Sequence, residues 1–163
     1  MRNEPETHSS KETSRESGQI GIRELSVASL SGLVGMVAMQ PLFGIATVLG
    51  VLDPLAFAEF ANIVGYGLDL WGGVGIFVAG GVTVLPLLFI TLGNYLPPAS
   101  SVPLRGVTYG TIVWTGFVIA FYTGQTGTGL AMYLLLTLGN HWIYGVVLGS
   151  VYTRYASVAV YEV

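Results

Sequence analysis

The chain has 163 residues, of which 52% are hydrophobic and only 9% charged, with a mean hydropathy of +0.68 and a net charge of −3. Soluble domains carry about 25% charged residues, so this composition excludes a chain that covers itself with a water-facing surface. The charge offers no basic patch for nucleic acid, and the lack of cysteine excludes disulfides, iron–sulfur clusters and thiolate zinc sites.

The segment before the first apolar stretch is polar, rich in serine, glutamate and threonine, and holds most of the charged residues. It lacks the apolar mass that would offset the entropy lost on ordering, so residues 1–24 are predicted to be a disordered tail. A four-helix membrane domain is expected over residues 25–155, followed by a short C-terminal tail at 156–163. The apolar run that starts at Leu25 is too long for the core of a secretory signal.

The first predicted span covers about residues 25–50, long enough to cross a bilayer as a helix that pairs its backbone groups internally. Pro41 falls inside it and removes one backbone hydrogen bond, so we expect a kink there. The early turns carry small residues on one side: Ala28, Ser31, Gly32 and Gly35.

A short helix is predicted next, over about residues 54–66, with Asp53 as its N-cap and Pro54 as its first residue. It is too short to cross a membrane. Polar residues at helical spacing among apolar ones are typical of a helix that lies at the membrane surface with a polar stripe toward water. These polar residues are Glu59, Asn62 and Tyr66.

Three further spans are predicted, at about residues 70–96, 106–123 and 129–153. Each has small residues where another helix can approach closely. In the second span the small residues that share a face are Gly72, Ala79 and Thr83. The third span opens with Gly106-xxx-Gly110 and the fourth carries Gly145-xxx-Gly149; packing within the chain is the preferred use of both motifs.

Basic residues are confined to the N-terminal tail, the connection between the second and third spans, and the C-terminal end. The other two connections contain no lysine or arginine, and the longer one holds three carboxylates. Because basic residues stay on the cytoplasmic side, both termini are predicted to be cytoplasmic. The predicted fold class is therefore an all-α, polytopic protein of the cell membrane, with four transmembrane helices and a short interfacial helix after the first.

His141 lies about 13 residues before Arg154, which places it roughly 20 Å deep at ~1.5 Å per residue. An ionisable residue at that depth is a functional hypothesis by default. One interpretation makes it a haem or metal ligand, or a hydrogen-bond partner for a quinone. The preferred one is a neutral histidine that fixes helix packing, because one ligand does not make a site. Its side of the helix carries Tyr133, Thr137 and Tyr144 with Asn140 beside them, and the methionines available for His/Met ligation of haem are Met36, Met39 and Met132.

The carboxylates between the spans, Asp53, Glu59 and Asp69, are interpreted as a cap, a solvated face and a helix-start charge. A cation-attracting vestibule is the alternative. No carboxylate lies inside a span, which argues against a proton pump or an ion-coupled carrier.

The only lysine is Lys11, so no phosphate loop is possible, and neither an H-E-x-x-H nor a G-x-S-x-G motif occurs. No catalytic residue and no metal site is predicted.

The membrane part also carries a familiar combination of segments. A glycine-rich first span, a short helix led by Asp-Pro, the stretch LPPASSVPLRG and the closing GNHWIYGVVLGSVY occur together. This combination resembles a family of small four-span prokaryotic membrane proteins of unknown function, frequent in halophilic archaea. The resemblance implies a four-helix integral protein, and the loose naming of some relatives as terminal-oxidase-related implies a respiratory partner. It brings no catalytic residues, and the family's histidine in the last segment corresponds to His141.

Three functions compete as interpretations of these features. The preferred one is a non-catalytic accessory or assembly subunit of a larger membrane complex, with a respiratory complex as the expected partner. The second is a homo-oligomeric channel or carrier for a small solute. Its path would be lined by two polar faces, one of Thr108, Thr111 and Thr115 and one of Thr137, His141 and Tyr144. The third is an electron carrier that binds haem or quinone through His141.

Overall fold

The computed structural model describes residues 21–156, and within them the chain is helical with short connections and no strand. The all-α class is thereby confirmed. The predicted tails lie largely outside the described residues, which exclude 1–20 and 157–163. The helices are α1 (Ile22–Ala38), α2 (Gln40–Val48), α3 (Ala56–Ile63), α4 (Leu70–Ala79), α5 (Leu85–Leu92), α6 (Val102–Ala120) and α7 (Gly127–Tyr155), with a π-helical segment at Gly80–Val84 and a 3₁₀ turn at Gly93–Tyr95.

Three helical stretches are long and apolar enough to cross a membrane: Ile22–Val48, Leu70–Tyr95 and Gly127–Tyr155. The first begins inside the segment predicted to be a tail, since Leu25 N–H already donates to Gly21 O at 3.1 Å. Glu24 in the first turn suits the positive end of the helix dipole, which favours an earlier start than hydropathy alone predicts.

The first stretch is interrupted between α1 and α2, where the sequence predicts a kink at Pro41. The break falls at Met39, and the proline is the second residue of α2. Gln40 compensates at the break, because its side-chain Nε2 donates to Met36 O at 3.0 Å. A carbonyl freed inside this long apolar helix is thus paired by a neighbouring side chain, as crossing a membrane would require.

The second stretch contains a feature that the sequence did not predict. Between α4 and α5 the chain forms a π-helical segment, Gly80–Val84, just before Pro86. Leu85 N–H bonds to Gly80 O, five residues back. The next such bond would need an N–H on Pro86, which has none, so Gly81 O is left without a partner in its own helix.

The short helix α3 begins two residues later than predicted. Asp53 still acts as the capping residue, since its carboxylate accepts from Leu55 N–H at 2.9 Å, but Pro54 and Leu55 form single turns before the helix proper. The buried face of α3 consists of Ala56, Phe57 and Ala61. The helix ends at Ile63, three residues earlier than predicted, so only Glu59 and Asn62 of the predicted polar stripe lie on it; both are exposed, as is Tyr66 beyond its end.

Helices α6 and α7 run antiparallel in tight contact. A Cβ placed on Gly106 would overlap the carbonyl of Gly145, and one on Gly145 would overlap the carbonyl of Gly106. The contacts recur every four residues: moving four residues forward along α6 leads to a partner four residues earlier in α7. The successive pairs are Val102 with Gly149, Gly106 with Gly145, Gly110 with His141, Trp114 with Thr137, and Val118 with Tyr133. The prediction that the two G-xxx-G motifs serve packing within the chain is confirmed.

The predicted packing face of the second span is wrong within the chain. Ala79 and Thr83 are exposed, and a Cβ on Gly72 would meet only the side chain of Asp69. Close approach instead uses Gly73, where a Cβ would overlap Phe57 O, and Gly81, where it would overlap the Met36 sulfur. Position 73 is one residue further on, so the packing face is rotated by about 100°.

The interior has two halves. One is an aromatic cluster in which Phe57 packs on Phe121 with ring centroids 4.9 Å apart and on Phe77 at 5.1 Å. The other is built from methionine, tyrosine and leucine together with one phenylalanine: Met36, Met39, Phe89, Tyr109, Tyr144 and Leu148. His141 lies where the two meet, since its ring is 5.7 Å from that of Phe117 and it borders cavities lined by members of both.

Candidate functional site

His141 is buried in the middle of α7, with 9% of its surface exposed. Its ring Nδ1 lies 2.8 Å from Thr137 O, one helical turn back. A carbonyl oxygen can only accept, so Nδ1 carries the proton and donates. Within residues 21–156 this is the one hydrogen bond of the ring. In the neutral ring, Nε2 is therefore the nitrogen whose lone pair is available to a ligand.

Asn140, the residue before His141, is 2% exposed, and its side-chain Oδ1 has no hydrogen-bond partner among the described residues. Buried polar side chains are nearly always paired, because an unmade hydrogen bond in a low-dielectric interior is costly. Asn140 also lines the cavity beside His141. The centre of the molecule thus holds an acceptor that the described part of the chain does not satisfy.

Two small cavities meet at His141. The larger, about 30 Å³, is bordered by most of the aromatic cluster together with Met39, Thr137, Asn140 and His141. The smaller, about 10 Å³, lies toward the π-helical segment. Its lining residues include Met36, Met39, Gly81, Tyr144 and His141. We call these two cavities and the side chains around them the His141 site. A 30 Å³ cavity holds about one or two molecules of the size of water.

The other polar residues on the His141 side of α7 are engaged in hydrogen bonds to neighbouring helices. Tyr133 Oη donates to Val118 O at 2.8 Å, and Thr137 Oγ1 accepts from Trp114 Nε1 at 3.0 Å. Tyr144 Oη donates to Gly81 O at 2.6 Å. The tyrosine therefore supplies the donor that Pro86 cannot. The polar face predicted for α7 holds helices together along most of its length.

Two of the three threonines predicted to line a path on the third span also form hydrogen bonds outside their own helix. Thr108 Oγ1 donates to Pro97 O at 2.6 Å and ties α6 to the preceding loop. Thr111 Oγ1 accepts from Trp142 Nε1 at 2.9 Å. Thr115 is exposed and bonds to Ile112 O in its own helix. None of these three threonines borders either of the two cavities at the His141 site.

Residues 22–163 match one family model, the family of unknown function DUF6789. The chain belongs to this family. The expectation of membership in an uncharacterised family is confirmed. No curated protein and no solved structure matches the chain.

Two of the three candidate methionines lie at the His141 site of this DUF6789 protein. Met39 borders both cavities and Met36 the smaller one, whereas Met132 packs against the aromatic cluster from outside. Phe77 and Phe117 also border both cavities, and neither was predicted from the sequence. Phe117 follows Trp114 by three residues on α6, so its place beside His141 becomes readable only once the α6–α7 pairing is known.

A haem or a quinone ring does not fit the His141 site as it is packed. Ligand pockets of that kind have volumes of about 300–1,000 Å³, about ten times the larger cavity or more. Several rings of the aromatic cluster would have to move to admit either group. The methionine sulfurs and the histidine of this site suit a ligand no larger than a small ion or one or two water molecules.

Two of the three carboxylates between the spans lie at or just before helix starts, and the third is exposed, as predicted for a solvated face. Asp69 is the N-cap of α4 and accepts from Trp71 N–H at 3.1 Å, Asp53 caps the turn before α3, and Glu59 is exposed. Within residues 21–156 no group of three histidine, aspartate or glutamate side chains is placed to hold a metal ion.

Proposed function

We propose that the protein is a non-catalytic subunit of a larger membrane assembly, anchored by four transmembrane helices with both termini in the cytoplasm. A respiratory complex of a prokaryote, with a halophilic archaeon as the expected source, is the partner that the sequence resemblance favours. The number of spans, the orientation and the surface for the partner are each supported by a different feature of the molecule.

The pairing of α6 with α7 supports a fourth span. α6 has 19 residues, or about 28 Å at ~1.5 Å per residue, close to the ~30 Å of a hydrocarbon core. Its contacts with α7 run from Val102 near one end to Val118 near the other. A helix held alongside α7 over that length lies at the same depth, so α6 crosses wherever α7 crosses. Arg105 and its hydroxyl residues lower the hydropathy of α6 without shortening it.

The distribution of charge supports the orientation. α1 packs antiparallel to α7, since Gly35 lies against Tyr144 while Leu42 lies against Gly139. The start of α1, the start of α6 and the end of α7 therefore share one end of the molecule. That end carries all three arginines of the described chain, Arg23, Arg105 and Arg154, and the other end carries Asp53, Glu59 and Asp69. Because arginine is retained in the cytoplasm, this distribution favours termini on the inner side.

The observation that carries the proposal is an outward-facing stripe of small residues on the second span. Gly75, Ala79 and Thr83 follow one another at steps of four, and all three are exposed. A Cβ on Gly75 would meet nothing within the described chain. Glycine weakens a helix relative to alanine, and in membranes small residues collect where another helix packs closely. The occupant we infer is a transmembrane helix of a partner subunit.

The interior supports a packing role over a channel or carrier. Trp–Thr hydrogen bonds and facing glycines join α6 to α7, and the cavities at the His141 site hold at most about two water-sized molecules. A second copy of this chain is the competing occupant of the stripe on the second span, and extraction of native complexes separates it from a different subunit.

The test compares native complexes extracted in mild detergent from cells that carry wild-type or variant protein. Ala79→Leu places bulk in the stripe, and Val78→Leu, on a neighbouring exposed position of the same helix, is the matched control. We expect wild type and Val78→Leu to comigrate in fixed stoichiometry with a different membrane subunit, and Ala79→Leu to lose it. A lone chain, or an oligomer of this chain alone, contradicts the proposal.

The assignment of a respiratory complex as the partner has a separate test, which measures oxygen consumption. Membranes from cells lacking the protein are expected to consume oxygen more slowly, with recovery on return of wild type but not of Ala79→Leu. Unchanged oxygen uptake would leave the subunit role standing and remove the respiratory assignment.

A further inference from the structure

Two of the long helical stretches are broken at the same place in the molecule. The first is interrupted at Met39, between α1 and α2, and the second at the π-helical segment before Pro86. The Met36 sulfur lies against Gly81, so the two breaks are in contact. Interrupted membrane helices and π-helical segments recur at binding sites, because they bring unusual groups together at mid-membrane depth.

The side chains at this junction are soft metal ligands. Met36, Met39 and His141 all border the smaller cavity, and they come from two different helical stretches. The bond from His141 Nδ1 to Thr137 O fixes the ring and leaves Nε2 for a ligand. A backbone carbonyl that holds the second nitrogen in this way is a common outer partner of a metal-binding histidine.

We propose that Met36, Met39 and His141 bind a single Cu(I) ion at the junction of the broken helices. Thioether sulfur and neutral imidazole are preferred by Cu(I), whereas hard cations such as Mg²⁺ and Ca²⁺ require carboxylate or carbonyl oxygen. The volume of about 10 Å³ between these side chains suits one bare ion and excludes a hydrated one.

The surroundings are suited to a monovalent charge held by neutral ligands. The rings of Phe77 and Phe117 border the same cavity, and aromatic faces attract cations most strongly in a desolvated site. Asn140, whose Oδ1 has no partner among the described residues, borders the adjoining cavity together with Met39 and His141. An ion at the junction therefore has an amide nearby that the described chain leaves unsatisfied.

The copper site and the proposed role as a subunit rest on different residues. The stripe on the second span faces outward, and the copper ligands face the core. Failure of either proposal leaves the other in place.

The test is a titration of full-length protein, purified anaerobically in detergent with a tag free of histidine, against Cu(I) buffered by bicinchoninate and ascorbate. The background variant His8→Ala removes a histidine outside the described residues. We expect one Cu(I) per chain. Met36→Leu and Met39→Leu are each expected to weaken binding by about tenfold or more, and Met132→Leu, away from both cavities, is expected to leave it unchanged.

Two further measurements keep the result independent of folding defects. X-ray absorption of the copper-loaded background variant is expected to show both sulfur and nitrogen ligands, and Cu(I) is expected to raise its thermal midpoint. A ligand shell without sulfur, no binding above the detergent blank, or equal binding by Met132→Leu and the Met36→Leu/Met39→Leu double variant would each overturn the proposal.

Discussion

Single side chains in this protein complete the hydrogen bonding of broken backbone. Pro86 has no N–H to offer Gly81 O, and Tyr144, 63 residues later, donates its hydroxyl there at 2.6 Å. Tyr109 on α6 also donates to the second stretch, at Leu85 O and 2.7 Å, beside the bond that this carbonyl makes within α5. With no water in the hydrocarbon core, a freed carbonyl has to find a donor on a neighbouring helix. The proline is therefore tolerated because α7 carries a tyrosine that donates to the freed carbonyl.

Removal of the Tyr144 hydroxyl tests this dependence. Tyr144→Phe is expected to lower the free energy of unfolding by about 1–2 kcal/mol, because a buried carbonyl loses its donor. Tyr66→Phe, at an exposed position, is the matched control and is expected to change little. The measurement is unfolding in mixed micelles of detergent and dodecyl sulfate.

A double-mutant cycle can test whether the Tyr144 hydroxyl serves the carbonyl that Pro86 leaves unpaired. In Pro86→Ala the new N–H can bond to the freed carbonyl, so the effect of Tyr144→Phe is expected to shrink in that background by about 1 kcal/mol. Equal effects of Tyr144→Phe in both backgrounds would show that the hydroxyl does not serve the carbonyl freed by the proline.

The hydrogen bond from Trp114 to Thr137 is a second test at the scale of single residues. Thr137→Val keeps the shape of the side chain and removes the acceptor. We expect a loss of about 0.6 kcal/mol, with about 1.7 as the upper bound seen for such bonds in membranes, and a shifted Trp114 fluorescence. Thr115→Val, whose hydroxyl bonds only within its own exposed turn, is expected to have neither effect.

At the scale of helices, the pairing of α6 and α7 is graded along its length. Near the start of α6 two glycines face each other backbone to backbone, and further along Trp114 and Val118 meet Thr137 and Tyr133. The side chains grow larger in that direction. The larger cavity lies on the side where they are largest, bordered by Val118, Tyr133 and Thr137.

Gly106→Ala is the direct test of the close approach. Its methyl group would overlap the Gly145 carbonyl, so the helices have to separate, and we expect a loss of about 1–3 kcal/mol despite the better helix propensity of alanine. Gly116→Ala in the same helix would meet open space and is expected to be neutral or slightly stabilising. Similar unfolding curves for the two variants would contradict the packing described.

At the scale of the whole molecule, the proposed four-span arrangement makes the two ends chemically different. Loop 96–101 lies at the arginine end, and loop 121–126 lies at the carboxylate end, where Gln125 Nε2 donates to Val51 O at 2.9 Å. Arg105 also has a local role at its end, because its guanidinium donates to Pro98 O, Ala99 O and Asn94 Oδ1.

The lack of cysteine makes the orientation directly measurable. Single variants Ser100→Cys and Thr126→Cys place a thiol at exposed positions on either side of α6. We expect an impermeant maleimide to label Thr126→Cys in intact cells and Ser100→Cys only after permeabilisation. Labelling of both in intact cells would mean that α6 does not cross the membrane.

The sequence was sufficient to predict the helices because hydrophobic length and capping are local properties. Asp69 lies at the start of α4 as expected and the two G-xxx-G motifs pack as expected, whereas Asp53 accepts from Leu55 N–H two residues before α3 begins. The π-helical segment was not predicted, and the donor that pairs its freed Gly81 carbonyl is a tyrosine on a distant helix, Tyr144. The face of the second span was also misplaced. Gly72 and Gly73 are equally small, and only the position of α3 decides which of them is buried.

The candidate site was only partly accessible to sequence reasoning. His141 stands out in the sequence because it lies deep within an apolar span. The methionines were candidates only because a thioether can bind metal, and nothing in the sequence placed them near His141. What brings Met36 and Met39 to it is the break in the first helix and the contact of Met36 with Gly81, both of which depend on tertiary packing. The hydrogen bond between Trp114 and Thr137 likewise could be predicted only once the antiparallel register of α6 and α7 was known.

The contact between Gly35 and Tyr144 has a consequence for biosynthesis. The groove around Gly35 in α1 is filled by a side chain that leaves the ribosome more than a hundred residues later. Until then the side of the first helix around Gly35 stays uncovered, whereas Gly32 can pack earlier against Gly81 and Pro86. By contrast, α6 and α7 are neighbours in sequence and can pair as a hairpin as soon as both have emerged. Translation arrested before α7 would therefore leave an incompletely packed bundle, a natural substrate for membrane quality control.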